Sequence, residues 1–151
     1  MRERESFVRE TMARSTVVIA AAVLAFLAVV PVPEVTAKKY LVGDKNFWNP
    51  NINYATWVQG KHFYLGDWLY FVFYRDQHNI LEVSKSDYDR CISNHPLRNY
   101  TRGAGRDIVP LNETRAYYLL DGRGGCFHGM KLSVTVEGPP PPSPPPPPAS
   151  M

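Results

Sequence analysis

Five side chains in the central and C-terminal parts of the sequence have the chemistry of metal ligands or redox groups. They are His78, Cys91, Cys126, His128 and Met130. Imidazoles, thiolates and thioethers are ligands that copper and zinc accept. The last three lie in or beside a Gly-rich stretch between two predicted strands, and a loop in that position commonly carries a metal ion or a recognition surface. The function of the chain therefore depends on which ligands this loop carries.

The sequence around this loop predicts two strands that hold it. A buried strand is predicted over 115–120, followed by a Gly-rich loop through Cys126 and a final strand over 131–136. In the final strand apolar and polar residues alternate, a period of two that is typical of a half-buried strand. The residues expected to face the core are Leu132, Val134 and Val136, with Lys131, Ser133 and Thr135 facing outward.

The other predicted elements are also short. Strands are predicted over 39–43, 53–58, 65–74, 80–83 and 107–111, a helical turn over 86–91, and a long polar loop over 93–105. The stretch 65–74 gives the strongest strand signal because it follows a Gly-Asp turn and is dense in aromatic and branched residues. Trp48, Trp57 and Trp68 are interpreted as core and edge packing. The pattern predicts an all-β fold, an antiparallel sandwich or barrel.

Residues 1–37 are interpreted as a signal peptide. An apolar run over 17–32 is followed by Val35-Thr36-Ala37, which places small residues where signal peptidase reads, so cleavage is expected after Ala37. The charged start is unusual for a secretory leader, and Met12 is a possible true initiator. The alternative is a signal anchor that stays uncleaved.

The C-terminal segment, residues 139–151, is proline-rich and is predicted to be an extended polyproline II stalk because it cannot pack a core. The intervening residues 38–138 are predicted to form one domain of ordinary size. Both cysteines fall inside this domain. Behind a signal peptide two cysteines most simply form one disulfide, and the alternative is two buried free thiols.

Two sequons in predicted surface loops are N-glycosylation acceptors, Asn99 in Asn99-Tyr100-Thr101 and Asn112 in Asn112-Glu113-Thr114. The net charge of +3 is mild, and its densest basic group is Arg98, Arg102 and Arg106. This group is either a solvated loop or a site for an acidic wall polymer or membrane surface. The sequence has no nucleic-acid-binding motif.

The order and spacing of several motifs resemble the phytocyanin domain, the plant blue-copper family that includes stellacyanins, plantacyanins, uclacyanins and early nodulin-like proteins. The motifs are Leu65-Gly66-Asp67, Phe71-Val72-Phe73, His78-Asn79, Tyr88-Asp89-Arg90-Cys91, Tyr117-Tyr118, Cys126 and Gly129-Met130-Lys131-Leu132. The resemblance covers essentially all of residues 38–138. It implies a cupredoxin-like antiparallel β-sandwich of Greek-key type and a disulfide between Cys91 and Cys126.

The resemblance also implies where copper ligands would lie. A blue-copper site needs two imidazoles and one thiolate, with a weak axial ligand. The family pattern places the first imidazole at His78, the thiolate at position 120, the second imidazole at position 125 and the axial ligand at Met130. This chain has Leu120 and Gly125 at two of these positions. We therefore expect no copper and no other cofactor, with His78 and Met130 as vestigial ligand positions. A looser site that includes His128 is the alternative.

A chain that keeps the fold and lacks the ligands resembles the early nodulin-like branch, which is similar to cell-surface arabinogalactan-type glycoproteins. Ser143 and the prolines after it resemble an extensin glycomodule. The expected function is a secreted, non-catalytic binding or signalling module in the cell wall. Its partner would be a wall polysaccharide, a peptide or a receptor ectodomain, bound through loops 93–106 and 121–129. Many such proteins have a hydrophobic lipid-anchor tail; without one the chain would be secreted, and with one it would lie on the plasma membrane. The alternative function is a copper-binding electron carrier.

Overall fold

The computed structural model of the protein describes residues 36–139, 141 and 142. The predicted signal peptide, apart from residues 36 and 37, and nearly all of the predicted stalk lie outside the described residues. Within them, no helix has the length and apolar character that crossing a membrane requires.

The described residues form two β-sheets. The first contains β1 (Lys39–Leu41), β3 (Trp68–Val72) and β6 (Arg106–Pro110), in the order β1-β3-β6. The second has the order β2-β8-β7-β4-β5 and contains β2 (Phe63–Tyr64), β4 (Leu81–Glu82), β5 (Arg98–Asn99), β7 (Ala116–Leu120) and β8 (Lys131–Glu137). The apolar faces of both sheets contribute to one buried core. Two sheets around one core agree with the predicted sandwich.

The two sheets are antiparallel in their interiors and parallel at one edge each. β1 pairs with β3 in parallel, and β2 pairs with β8 in parallel. The remaining pairs, β3 with β6, β4 with β5 and β7, and β7 with β8, are antiparallel. The expectation of a purely antiparallel sandwich is therefore corrected at these two edges. Their strands, of three and two residues, carry too little pattern to reveal their direction in the sequence.

The predicted strand over 53–58 is wrong, because these residues form helix α1 (Tyr54–Val58). The side chain of Asn53 caps the helix by accepting the backbone N–H of Thr56 at 3.0 Å. Tyr54 and Trp57, three residues apart, are the two buried residues of the helix. Alternation of Tyr54, Thr56 and Val58 suggested a strand, but burial follows the helical spacing.

The predicted helical turn over 86–91 is confirmed as α2 (Lys85–Arg90), capped by Ser84, whose hydroxyl accepts the N–H of Asp87. The predicted loop over 93–105 contains the short strand β5. The predicted strand 65–74 is shorter than expected, since β3 spans only 68–72. Trp48 and Trp57 are buried, as core packing requires, and Trp68 is 37% exposed at the start of β3, the central strand of its sheet.

A disulfide joins Cys91 to Cys126, with 5.7 Å between their Cα atoms. Cys91 is the C-terminal cap of α2, and Cys126 lies in the 3-10 turn Gly125–His128 of the loop between β7 and β8. Cys126 packs with Leu81, Val83 and Leu120 in a small second core. The predicted disulfide is confirmed, and it fixes the loop of interest to α2.

Candidate functional site

Two loops meet at the end of the sandwich where the copper ligands of the family pattern would lie. The first connects β3 to β4 and contains His78 and Asn79; the second connects β7 to β8 and begins at Asp121. The N–H of Asn79 donates to Oδ1 of Asp121 at 2.8 Å, and the N–H of Gly122 donates to Oδ1 of Asn79 at 2.7 Å. These reciprocal bonds hold the two loops together.

Asp121 lies at the centre of this site and is fully buried. Its Oδ1 accepts the N–H of Asn79, and its Oδ2 accepts the N–H of Gly125 at 2.7 Å. Nδ1 of His78 lies 3.4 Å from the same Oδ2. A buried carboxylate needs such partners, because burial without them is costly. Sequence analysis did not assign Asp121 a place in the site; an Asp at the first residue after a buried strand was the available signal.

His78 is mostly buried, with 13% of its side chain exposed, and Asp121 is its carboxylate neighbour. Its backbone N–H closes a turn by donating to the carbonyl of Tyr74 at 3.0 Å. The imidazole therefore faces a structural carboxylate in a turn that precedes β4.

Met130 is fully buried and closes the base of the second loop. Its N–H donates to the carbonyl of Gly125 at 2.9 Å, and its carbonyl accepts the N–H of Asp121 at 3.0 Å. Its thioether lies beside Gly125, where a Cβ would be 2.5 Å from the sulfur and 2.4 Å from Oδ2 of Asp121. Real Cβ atoms do not approach other atoms this closely, so a side chain at position 125 would require the carboxylate of Asp121 and the thioether of Met130 to shift.

Leu120 ends β7 and has no exposed surface. It lies opposite Leu81 of β4 and packs with Val83 and Cys126. Position 120 thus offers apolar volume and no donor atom.

The other histidine considered, His128, is exposed in the 3-10 turn and lies apart from the buried pair. It lines an open groove with Asn53, Tyr88 and Lys131. Within residues 36–139, no three His, Cys, Asp or Glu side chains are grouped so that they could hold a metal ion.

A second buried carboxylate, Glu82 of β4, belongs to a charge network that sequence analysis missed. Its Oε1 accepts Nη1 of Arg115 at 2.5 Å, and its Oε2 accepts the hydroxyl of Tyr100 at 3.0 Å. Burial opposes the charge on Arg115, but hydrogen bonds to Glu82 and Glu113 outweigh it and raise the pKa of the guanidinium. Burial, followed by the charge of Glu82, raises the pKa of Tyr100 to about 12. Within this network, Glu82 is the buried ion-pair partner of Arg115.

The solvent side of the two loops carries exposed aromatic and basic residues. Tyr74 is 70% exposed and Phe127 is 73% exposed. Nη1 of Arg123 donates to the carbonyl of Arg75 at 3.1 Å and bridges the loops at the surface. We call Tyr74, Arg75, Arg123 and Phe127 the loop face.

The predicted loop 93–106 carries its basic residues differently. Arg98 pairs with Glu113 at 3.3 Å, and Arg102 and Arg106 are exposed. Asn99 in β5 and Asn112 in the turn before β7, the two predicted glycosylation acceptors, are both exposed. This loop is bonded to both ends of the connection that carries His78, since Oγ1 of Thr101 accepts the N–H of Ile80 at 2.8 Å and the carbonyl of Gly105 accepts the N–H of Phe73 at 2.9 Å.

Comparisons with known proteins agree with this architecture. Residues 48–130, more than half of the chain, match the family model described as the plastocyanin-like domain. The chain is 79% identical to Early nodulin-like protein 19 of Arabidopsis thaliana over 85% of this chain and 91% of that protein. It is 73% identical to Early nodulin-like protein 17 of the same plant, over 83% of this chain and 73% of that protein.

Two solved blue-copper structures have the same fold. Cucumber stellacyanin with Cu2+ superposes with a TM-score of 0.59 at 30% identity, over 68% of this chain and 97% of that one. Cucumber basic protein, a blue copper protein, gives 0.58 at 30% identity, over 66% and 99%. The predicted cupredoxin-like sandwich is confirmed by these likenesses. The chain belongs to the plastocyanin-like domain family and, within it, to the early nodulin-like branch of the phytocyanins.

Proposed function

We propose that this protein is an extracellular, non-catalytic binding module of the plant cell surface, with a phytocyanin domain that does not form a type 1 copper site. One observation carries the proposal. The space beside Gly125, where the family pattern requires an imidazole, is filled by the carboxylate of Asp121 and the thioether of Met130. This packing supports the proposal, because an imidazole at position 125 would have to displace both groups.

The donor set argues in the same direction. A type 1 site depends on a thiolate and two imidazoles around the metal. Leu120 supplies a buried apolar side chain and Gly125 supplies none, so His78 and Met130 are what remains of the family's ligand set. The second sulfur nearby, in Cys126, is consumed by its bond to Cys91. The residues present do not fit a type 1 copper ion.

The buried carboxylates support a non-catalytic role. Catalytic acids and bases need an open position at which a substrate can reach them. Asp121 is fully buried and accepts two backbone N–H groups, and Glu82 is bound by Arg115 and Tyr100. Both carboxylates are therefore engaged in bonds within the fold.

The loop face is the surface that best suits a ligand. Aromatic side chains and arginines are enriched where proteins bind partners, and Tyr74 and Phe127 are the most exposed large hydrophobic residues of residues 36–139. Arg75 and Arg123 add positive charge beside them. Loop 121–129 is therefore a better candidate for the ligand-binding surface than loop 93–106. The ligand classes are a wall polysaccharide, a peptide or a receptor ectodomain.

The location follows from the predicted leader, sequons and stalk. We propose secretion after removal of residues 1–37, glycosylation at Asn99 and Asn112, and a stalk over 139–151 that spaces the domain from the wall or the membrane. The disulfide is consistent with an oxidising compartment.

Copper titration tests the first half of the proposal. The full secreted chain is mixed with Cu(II), and visible absorption and bound copper are measured before and after chelation. We expect no intense blue band and an unchanged fold after chelation. A stoichiometric blue complex that His78→Ala abolishes would instead establish the electron-carrier alternative.

A binding assay tests the second half. The full chain is used against a plant glycan array and a panel of receptor ectodomains, together with Phe127→Ala and Tyr74→Ala. Leu97→Ala is the matched control, since Leu97 is 64% exposed but lies outside the loop face. We expect the two loop-face variants to lose binding and the control to keep it. Equal binding by all variants would place the ligand elsewhere.

A further inference from the structure

We propose that Asp67 is a docking site for the new amino terminus that cleavage after Ala37 creates. The inference rests on the secretion included in the proposed function. It assigns Lys38 as the residue at which the mature chain begins. It also gives a function to the buried carboxylate of Asp67, which lies far from the loop face. The ligand is the α-ammonium group of Lys38.

The geometry already places the right atom at the right distance. The main-chain nitrogen of Lys38 donates to Oδ1 of Asp67 at 2.7 Å. The other carboxylate oxygen, Oδ2, accepts the N–H of Tyr64 at 2.9 Å. Asp67 is only 4% exposed, so its carboxylate is held in place below the surface.

Asp67 lacks a cationic partner among the residues that the structure describes. The ion pairs of that part of the chain involve other carboxylates. A buried carboxylate that is satisfied only by neutral N–H groups gains from a cation at hydrogen-bond distance. Cleavage at the Ala37–Lys38 bond turns one of those two donors from an amide into an ammonium without moving the chain.

The surroundings fix Lys38 in position. The carbonyl of Lys38 accepts the N–H of Trp68 at 2.9 Å, so β1 is bonded to β3 from its first residue. The carbonyl of Asp67 accepts the N–H of Leu111 at 2.8 Å. A terminus that forms at Lys38 therefore needs no rearrangement to reach the carboxylate.

The peptide bond to be cleaved is accessible. Thr36, Ala37 and Lys38 are exposed and precede the first strand. Thr36 and Lys38 line an open pocket with Tyr40, His62 and Asp67. Small residues at positions 35 and 37 fit the requirement of signal peptidase. Lys38 is therefore both the residue that follows the predicted cleavage site and the residue whose main-chain nitrogen contacts Asp67.

Other charged groups near the pocket do not compete for Asp67. Nζ of Lys38 lies over the ring of Tyr40, and Nζ of Lys61 donates to the carbonyl of Trp57. Nδ1 of His62 lies 3.0 Å from Glu137. Burial and the negative charge of Asp67 together raise the pKa of Tyr40, and the hydroxyl of Tyr40 donates to the carbonyl of His62.

The pairing gives a pH dependence with a definite sign. An α-amino group has a pKa of about 8 in an unfolded chain, and a buried carboxylate partner raises that value in the folded state. The stabilisation is therefore complete below pH 8 and is lost as the pH rises through the raised value. An amide at the same position does not titrate.

The test compares two secreted full-length chains with and without Asp67→Asn. The first is the natural chain, and the second carries one glycine inserted between Ala37 and Lys38, which leaves an amide at the Lys38 nitrogen. N-terminal sequencing of secreted protein should find Lys38 first in the natural chain. Asp67→Asn should raise the unfolding equilibrium constant about tenfold more in the natural chain than in the insertion chain. This difference should vanish at high pH.

Two results would overturn the inference. One is a secreted protein that begins at a residue other than Lys38, and the other is an equal effect of Asp67→Asn in both chains at every pH. A chain that stays inside the cell with residues 1–37 attached would contradict the proposed secretion as well. Copper titration and the binding assay are independent of all these outcomes, so the two proposals fail separately.

Discussion

The carboxylate of Asp121 accepts the backbone N–H of Gly125 at 2.7 Å, and the same oxygen blocks the place where a side chain at position 125 would begin. This bond closes the loop between β7 and β8, and a side chain at the family's second ligand position would have to displace the carboxylate that makes it.

Asp121→Asn should destabilise the fold by about 1–3 kcal/mol, because an amide has one acceptor oxygen and would leave a buried N–H of Asn79 or Gly125 without a partner. Urea unfolding followed by tryptophan fluorescence measures the change. Asp76→Asn is the control, since the side chain of Asp76 is 91% exposed. Equal midpoints for the two variants would contradict the structural role of Asp121.

Gly125→Ala should cost about 1–3 kcal/mol through overpacking, because its Cβ would meet Asp121 and Met130. Gly138→Ala is the matched control, since a Cβ there has nothing within 4 Å. Thermal unfolding of both variants checks the prediction. A neutral Gly125→Ala would mean that the site has room for a ligand side chain.

Arg115→Ala should destabilise the protein by about 3–5 kcal/mol, because it leaves the carboxylate of Glu82 buried and unpaired. Lys85→Ala is the comparison, because its pair with Asp89 is exposed to solvent and such pairs contribute little to stability. Chemical denaturation at neutral pH measures both. A loss from Arg115→Ala no larger than that from Lys85→Ala would contradict the role of the network.

Tyr100 should ionise only at about pH 12, since burial and Glu82 disfavour the phenolate. Because its folded pKa lies above the unfolded value of about 10, its contribution to stability is complete below pH 10 and is lost as the pH rises toward 12. Alkaline titration of tyrosinate absorbance tests this. Tyr100→Phe should remove part of the component near pH 12, to which Tyr54 also contributes.

Reduction of the Cys91–Cys126 disulfide, whose cysteines are 35 residues apart, should lower the free energy of unfolding by about 4 kcal/mol. Denaturation of the full chain with and without a reducing agent measures the loss, with the Cys91→Ser and Cys126→Ser pair as the non-reducible comparison. Unchanged stability after complete reduction would contradict the prediction.

The sequence predicted the parts of the fold that depend on alternation. Leu132, Val134 and Val136 are buried as expected, and the final strand lies where the period of two placed it. The motif order also identified the family and the disulfide. These features depend on local pattern or on a specific arrangement of residues, and both can be read from one chain.

The features that the sequence did not predict depend on tertiary contacts. Helix α1 has only five residues, too few for its period to outweigh the alternation of Tyr54, Thr56 and Val58. Asp121 becomes the centre of the site only because the distant β3–β4 loop brings the N–H of Asn79 to it, in addition to the N–H of Gly125 from its own loop. Glu82 and Arg115 are 33 residues apart, so nothing local indicates that they pair.

Strand β8 begins directly after the loop that contains Phe127 and ends at Glu137, where the chain turns toward its proline-rich segment. Seven residues of extended chain separate these points by about 20 Å. A tether attached at the C-terminal end of the domain would therefore present Tyr74 and Phe127 on the side that faces away from the tether.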